Sequence, residues 1–538
     1  MSTLKITTTL VVKFNFFFLF QKIFLRPLQF FSPRALREIF SCLFVIFVVS
    51  IKSAFYLGKQ GYPQKSSHDI LGVVWIKVLR DILVGKLLYK KGSLEGECHK
   101  NITVQGATMR NIQEIELNKR VQVKYQKYIK KFSEGFSIPE QKFIHHSVFG
   151  ILSSKSCILR RMSQGLKERI SLKKTSKRFS YHLPKEDLGS QLSDRVLRFQ
   201  AGRVDKETII IGDPGDIVKK YARKMEGLSS VRDGSTGVSG TGYNVLDVIA
   251  VQEGLDGALK IKPMVSDLYS SAMDEESFKT RFFDRVNDLQ IYSNNKGIYT
   301  LDRGYDDKKV IAYLHHHNAC FIIRSQGVRD LYYKGKRMSF SDVAKQVKVS
   351  YEYDGGGKRL LAGAVKVCIP VDPHPRKKHP TLVPVTLIVA RYKGRKKLGG
   401  FFSLFCSFPH TDMLEEALIG KALRCYRIRW KIEEVYRHIK VDFKWESMRL
   451  MKYQSLKTLN ALFLAALVFL YDLESMKLSF AQTYTALMLE SKNKLKYLSK
   501  FIYYRISKVI SYCFQFMKIY RKILYKNPQS LQLQLELI

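Results

Sequence analysis

Three acids in this sequence sit where divalent-metal chemistry could use them: Asp213, Asp302 and Glu433. Asp213 closes the short apolar run ETIIIGD, which reads as a buried strand with a carboxylate at its tip. Asp302 closes a second such run, GIYTLD. Glu433 lies in LRCYRIRWKIEEVYRHIKVDFKW, residues 423–445, which has no Pro or Gly and reads as one long helix. On a helical wheel Ile428, Ile432, Val435 and Ile439 form an apolar stripe. Tyr426, Arg429, Glu433 and Lys440 share the neighbouring face with Arg437 close by, and Glu434 points away from them. Such a face also fits an ordinary solvated helix surface. The chemistry depends on the sheet. If the strands that end in Asp213 and Asp302 are neighbours, two strand tips and one helix face can meet. Three carboxylates at one point repel each other and call for hard divalent ions such as Mg²⁺. Two such ions, about 3.5–4 Å apart, serve phosphodiester chemistry by activating an attacking oxygen and stabilising a leaving one.

The elements that must position these acids follow a βα pattern. After ETIIIGD come GYNVLDVIAV and LKIKPMVSDLYS as strands, then ESFKTRFFDRVND as a helix. GIYTLD, the helix KKVIAYLHHHN and the strand ACFIIRSQG complete the order β-β-β-α-β-α-β, with turn signals at Asp233-Gly234 and Asp256-Gly257. This predicts an α/β fold with a mixed sheet covered by helices. Residues 331–408 break the order. They read as hairpins with a turn at Asp354-Gly355 and a Pro-rich joint at Pro370, Pro373, Pro375, Pro380 and Pro384, hence a β-rich insertion before the helix of Glu433. Upstream, residues 109–200 carry several short basic helices, suited to lying across phosphates and placing one helix in a groove. Downstream, SLKTLNALFLAALVFLYDLE reads as a core helix rather than a membrane span. Residues 491–525 alternate Lys and Arg with Tyr, Phe, Ile and Leu, a pattern that suits nucleic acid, a membrane surface or a partner helix.

The chain has 538 residues, with 91 Lys and Arg against 47 Asp and Glu, a balance of +44. The excess is spread along the chain, which points to a polyanionic partner. Its 8 cysteines include no C-x-x-C pair, so neither a zinc site nor a disulfide framework is suggested, and a reducing cytosol fits. His315, His316 and His317 are consecutive and point in different directions, which disfavours a metal site. Residues 1–60 are strongly apolar but interrupted by Lys13, Lys22, Arg26, Arg34, Arg37 and Lys52; no uninterrupted run is long enough to span a bilayer and the signal-peptide match is poor, which favours a non-native extension over a degenerate membrane anchor. Ordinary soluble sequence begins at Met109. The boundaries read as an atypical extension (1–108), a helical DNA-binding domain (109–205), the first part of the core (206–330), the insertion (331–410), the core's catalytic helix (411–452) and a helical C-terminal region (453–538).

Tyr426, Arg429, Glu433 and Lys440 are separated by two, three and six residues. In that register they resemble the Y-R-E-K signature group of insertion-sequence DDE transposases, whose core is ribonuclease-H-like. GDPGDI resembles the family's stretch around its first aspartate and favours Asp213, with Asp216 as the fallback; LDRGYD resembles the turn around its second, at Asp302. The resemblance spans about residues 109–475. Two departures stand out. Gly215 occupies a position where a hydroxyl side chain is usual, and the insertion has no Trp for stacking on a flipped base, which leaves Tyr392, Phe401 or Phe402.

The resemblance implies cleavage of DNA at mobile-element ends and strand transfer to target DNA. Asp213, Asp302 and Glu433 would hold two Mg²⁺ ions, or Mn²⁺. Arg429 and Lys440 would grip phosphates and Tyr426 the terminal phosphate, with Arg437, Lys219 and Arg303 as further DNA contacts. The N-terminal helices would recognise inverted repeats. A homodimer on paired ends, no small-molecule cofactor and a bacterial cytoplasmic, nucleoid-associated location complete the expectation. The alternatives are a ribonuclease-H-like nuclease and a non-enzymatic basic DNA- or membrane-surface-binding protein, such as a decayed copy.

Overall fold

The computed structural model describes residues 116–476, except 233, 235–236, 255–256, 355–358, 372–380, 393–400 and 410–412, together with 502–516. The extension 1–108, the turn residues Asp233, Asp256 and Gly355, and Pro373, Pro375 and Pro380 lie outside the described residues. So do the side chain of Phe401 and the parts of 491–525 on either side of 502–516.

The sheet is built around β1 (Ile209–Val218). β3 (Ser239–Glu253) pairs with it antiparallel along its whole length, from Ile209↔Val251 to Val218↔Gly242. On the other side β5 (Ile298–Leu301) runs parallel but pairs only at Ile209 and Ile210. β1 therefore outruns its parallel neighbour, and Asp213 is not at a strand end as expected but in the overhang. Pro214 follows it beyond the last β5 pair, where the missing N–H costs no ladder bond on that side. β6 (Cys320–Arg324) pairs parallel with β5, and β4 (Leu259–Tyr269) flanks β3. A short β2 (Ser229–Arg232) adds one strand to the expected order, and α6 (Phe278–Ser293) and α7 (Lys308–His316) connect the parallel strands.

The insertion comprises β7 (Asp330–Tyr333), β8 (Lys336–Ser339), α8 (Phe340–Gln346), β9 (Tyr351–Asp354), β10 (Arg359–Pro370), β11 (Leu382–Tyr392) and β12 (Phe401–Ser407). It is continuous with the core sheet. β12 pairs antiparallel with β6 from Leu404↔Arg324 to Ser407↔Phe321. The sheet then runs β2-β3-β1-β5-β6-β12-β11-β10-β7-β8, with β4 on β3 and β9 on β10. Leu404, Phe405 and Cys406 are all buried, so both faces of β12 are covered, as an internal strand requires.

The N-terminal part is helical throughout: α1 (116–133), α2 (Ile138–Ser154), α3 (Leu159–Gly165), α4 (Leu172–His182) and α5 (Leu188–Ala201). The single helix expected over 423–445 is two, α9 (Glu415–Ile428) and α10 (Lys431–Asp442). The reason is local overwinding. Trp430 N bonds Arg427 O, Ile432 N bonds Arg429 O and Glu433 N bonds Trp430 O, all three residues back, so the helix tightens through Arg429–Trp430 and restarts. Its apolar stripe is nonetheless buried at Ile428, Ile432, Val435 and Ile439. Lys444 at φ 51° then turns the chain left-handed and ends the segment.

α11 (Tyr453–Asp472) is the pillar of the core. It belongs to the one described helix long and apolar enough to cross a membrane, yet it is buried, packed on β4, α5 and α2. Asn460 fixes its register. Its Nδ2 donates to Ser266 O at 2.8 Å and to Ser266 Oγ at 2.9 Å, and its Oδ1 accepts from Trp445 Nε1 at 2.8 Å. A fully satisfied buried amide ties α11, β4 and the chain just after α10 into one arrangement. α12 (Tyr503–Phe516) packs on α2, α11 and α10.

Candidate active site

Register brings the first two acids together. β1 and β5 run parallel from Ile209↔Ile298 and Ile210↔Tyr299, and Asp302, which follows β5, is near enough to Asp213 to push its carboxyl up. Asp302 follows β5 directly in extended backbone. Its Oδ1 accepts the Gly304 N–H at 2.8 Å, capping the turn Arg303–Tyr305 and fixing the carboxyl at the strand's end. Glu433 comes from the first turn of α10, and Arg429 bridges it to the sheet. Arg429 Nη1 is 3.7 Å from Asp213 Oδ1, and Nη2 is 3.8 Å from Glu433 Oε1. Both distances are too long for hydrogen bonds. One buried guanidinium therefore serves as counter-ion for two acids with a third alongside. The Asp213 carboxyl is pushed up to about 7, first by burial, then by Asp302 and Glu433, with Arg429 opposing. The cluster carries more negative charge than its own cation balances.

The donors are all carboxylate oxygens, which suits a hard divalent cation. Among the described residues, however, no three His, Cys, Asp or Glu side chains are gathered closely enough to grip a metal unaided. Arg429 stands between them. Glu433 is 40% exposed at its side chain.

The other motif residues are placed as follows. Tyr426 is half-buried and stacks on Phe402 of β12, centroids 6.0 Å apart, which joins the insertion to the motif helix. Phe402, a candidate base-stacking residue, thus has its ring against Tyr426. Tyr392 is half-buried at the end of β11. Lys440 pairs with Glu446 at 2.9 Å and is near enough to Asp247 to pull its carboxyl downward. Arg437 and Arg303 are exposed, Arg303 beside Asp302 and Arg437 on the side of Tyr504. Lys219 departs from expectation. It is buried, with its ammonium on the carbonyl oxygens of Glu446 and Met448, and burial pushes it down to about 8. Its charge is spent on anchoring the loop after α10 to the end of β1, so it is not presented to DNA. Asp216, the fallback acid, accepts the Gly234 N–H at 3.0 Å and so supports that turn.

Three further residues border the acids. Asp247 lies directly across the ladder from Asp213 and is buried; burial pushes it up to about 7 against the pull of the Ser266 and Tyr436 hydroxyls. Tyr436 donates to Asp213 O at 3.0 Å. Tyr305 is buried next to Asp213 and Asp302. The strand pattern that places Asp247 inside GYNVLDVIAV is a signal in the sequence, since a carboxylate within a buried run needs a reason. Nothing local marks Tyr305 or Tyr436.

Cations gather on a second surface. Lys173, Lys174 and Lys177 on α4 are exposed, and α4 carries no acid. Across from α4 are Arg160, Arg449 and Lys452, and the groove between encloses about 1060 Å³. Residues 449–452 follow the Glu446–Met448 segment that Lys219 holds to β1, so this groove opens beside the end of α10.

No curated protein matches the chain. Among solved structures it is similar to the piggyBac transposase synaptic complex with hairpin DNA, determined by cryo-EM, at 10% identity over 73% of this chain and 75% of that one, with a TM-score of 0.36. Residues 274–469 match the family model described as the transposase DDE domain. That match takes in Asp302, Arg429 and Glu433 and leaves Asp213 upstream.

Proposed function

We propose that this chain is a transposase that cuts DNA at the ends of its own mobile element and joins the freed 3′-OH to target DNA. The observation that carries the reading is that Arg429 bridges Asp213 and Glu433, with Asp302 close enough to push the Asp213 carboxyl up. The strand order around β1 and the transposase DDE domain match over 274–469 support a ribonuclease-H-like core of the insertion-sequence Y-R-E-K group.

Asp213, Asp302 and Glu433 would hold Mg²⁺ or Mn²⁺, which when bound supplies charge stabilisation and an activated oxygen for in-line displacement at phosphorus. The chain's own residues prepare that site. β1 and β5 present two acids from rigid strands, and α10 brings the third from the side. Released from the acids, Arg429 stays within reach to bind a phosphate in bidentate fashion. Tyr426, backed by Phe402, lies on the same helix side as Arg429 and would meet the terminal phosphate. α4 is about 16 Å long and fits a major groove. It would present Lys173 and Lys177 to the element end while Arg449 and Lys452 hold the backbone that leads to the acids. Pairing of two ends would join two copies of the chain.

The test uses the full-length chain, labelled DNA with the inverted repeats that flank its coding region, and Mg²⁺ or Mn²⁺. Cleavage at the repeat end, transfer into a second DNA, and loss of both in Asp302→Asn are expected. Cutting without transfer favours a nuclease. No cutting by the wild type, or unchanged cutting by Asp302→Asn, overturns the reading.

A further inference from the structure

Tyr436 lies three residues beyond Glu433 on α10, on the same side of the helix. Its hydroxyl donates at 3.0 Å to the backbone carbonyl of Asp213, the very residue whose side chain faces Arg429 and Glu433. The same hydroxyl lies near enough to Asp247, the residue directly across the ladder from Asp213, to pull its carboxyl downward against burial. The socket exists because residue 215 is glycine. A Cβ built there would lie 3.1 Å from the Tyr436 oxygen and 3.3 Å from its ring. Gly215 has no left-handed backbone to explain it; it sits in regular antiparallel pairing with Val245. A strand interior disfavours glycine, so the close approach of the tyrosine is what accounts for it.

We infer that Tyr436 is a positioning residue: seated in the socket left by Gly215, it ties the helix of Glu433 to the backbone of Asp213 and so sets the separation between two of the three acids. This rests on the proposed function, since the acids matter as a cation site. Besides the apolar packing of Ile432, Val435 and Ile439, the polar links found among the described residues between this turn of α10 and Asp213 are the long Arg429 contacts and the Tyr436 hydroxyl bond. A cation that displaces Arg429 leaves the Tyr436 bond in place.

The experiment measures the melting temperature of the full-length chain against Mn²⁺ concentration, with cleavage measured in parallel. For Tyr436→Phe the half-saturating Mn²⁺ concentration is expected to rise about ten-fold, in keeping with the effect of removing groups that support metal ligands. Cleavage should recover most of its rate at saturating Mn²⁺. Gly215→Ala should shift the midpoint in the same direction, and the double variant should be no worse than Tyr436→Phe alone, because both act on one contact. Tyr243→Phe is the control. It removes an equivalent hydroxyl bond, to Glu226 O at 2.7 Å, away from the acids, and should lower the melting temperature without moving the midpoint. A Tyr436→Phe midpoint within two-fold of wild type, or a Gly215→Ala chain with the wild-type midpoint if Tyr436→Phe does not fold, overturns the inference alone. A wild-type chain that neither responds to Mn²⁺ nor cleaves overturns the proposed function and this inference with it.

Discussion

Two sets of poorly exposed acids sit within a few residues of each other and have opposite surroundings. Asp306, four residues after Asp302, is bonded by Arg329, by the Gln326 N–H at 2.7 Å and by Ser325 Oγ at 3.4 Å. Asp442, at the far end of the helix of Glu433, has Lys155 at 3.2 Å, the Ser507 hydroxyl, and His438 at 3.7 Å. Those acids have close partners for their lone pairs and a cation each. Asp213 and Glu433 share one guanidinium at more than hydrogen-bond distance, with Asp302 close enough to push the Asp213 carboxyl up. Burial alone does not mark an active acid. What separates the two sets is how far the protein itself has neutralised them: saturated acids hold the fold, and the under-neutralised cluster has charge left for a ligand.

The comparison can be broken at several points. The largest effect is expected at the cluster. Asp302→Asn keeps an oxygen for the Gly304 N–H, and Glu433→Gln keeps its shape, so both should fold with no loss of melting temperature. Both should cut element-end DNA slower by about three orders of magnitude or more. A variant that loses activity only because it melts early would place these acids with the structural set. Next comes Asp306→Asn, which leaves Arg329 without its counter-ion at a site where the two side chains are 1% and 12% exposed. It should cost about 3–5 kcal/mol in urea unfolding. A change below about 1 kcal/mol would erase the distinction between the sets.

A smaller effect should follow from adding Mn²⁺ to the wild type. At about a hundred times its dissociation constant it should stabilise the chain by about 2.7 kcal/mol, read as a rise in melting temperature that Asp302→Asn lacks. Mn²⁺ raising both chains equally would mean that it binds elsewhere. A further effect is on acid stability. His438, beside Asp442, is pushed down to about 4 by burial, with Lys155 adding to the shift and Asp442 opposing it. The unfolded imidazole titrates near 6.5 and binds its proton first. Its contribution is therefore fully present above about pH 6.5 and is lost as pH falls toward about 4. Unfolding free energy should slope downward across that window, and His438→Phe should flatten the slope. A slope unchanged by that substitution would remove His438 from the account.

Part of the fold and of the site is legible in the sequence, wherever the signal is local. The burial of Ile428, Ile432, Val435 and Ile439 follows from a helical period, and a period is a local property. The long apolar run at 453–472 had to be interior or membrane-bound, and its burial against β4, α5 and α2 decided for the interior. The placement of Asp302 after a short buried strand came from the run GIYTL and the turn signal behind it. The helix break at Arg429–Trp430 was not legible, because no Pro or Gly marks it. Nor was the fate of Lys219 or Lys440. A lysine in a sequence of this charge reads as a surface cation, and only the loop after α10 turns Lys219 inward and brings Glu446 to Lys440.

By itself the sequence determined the inventory: which acids, which cations, which periodic stretches, and so which chemistry was worth considering. The tertiary structure decided adjacency. The pairing of β1 with β5, the continuation of the sheet through β12, the seating of Tyr436 against Gly215 and the unequal neutralisation of Asp213 and Asp306 all join residues from about 20 to more than 220 positions apart. No local propensity encodes such contacts. They arise when buried surfaces are matched across the whole chain, and charge balance at any one acid is a consequence of that match.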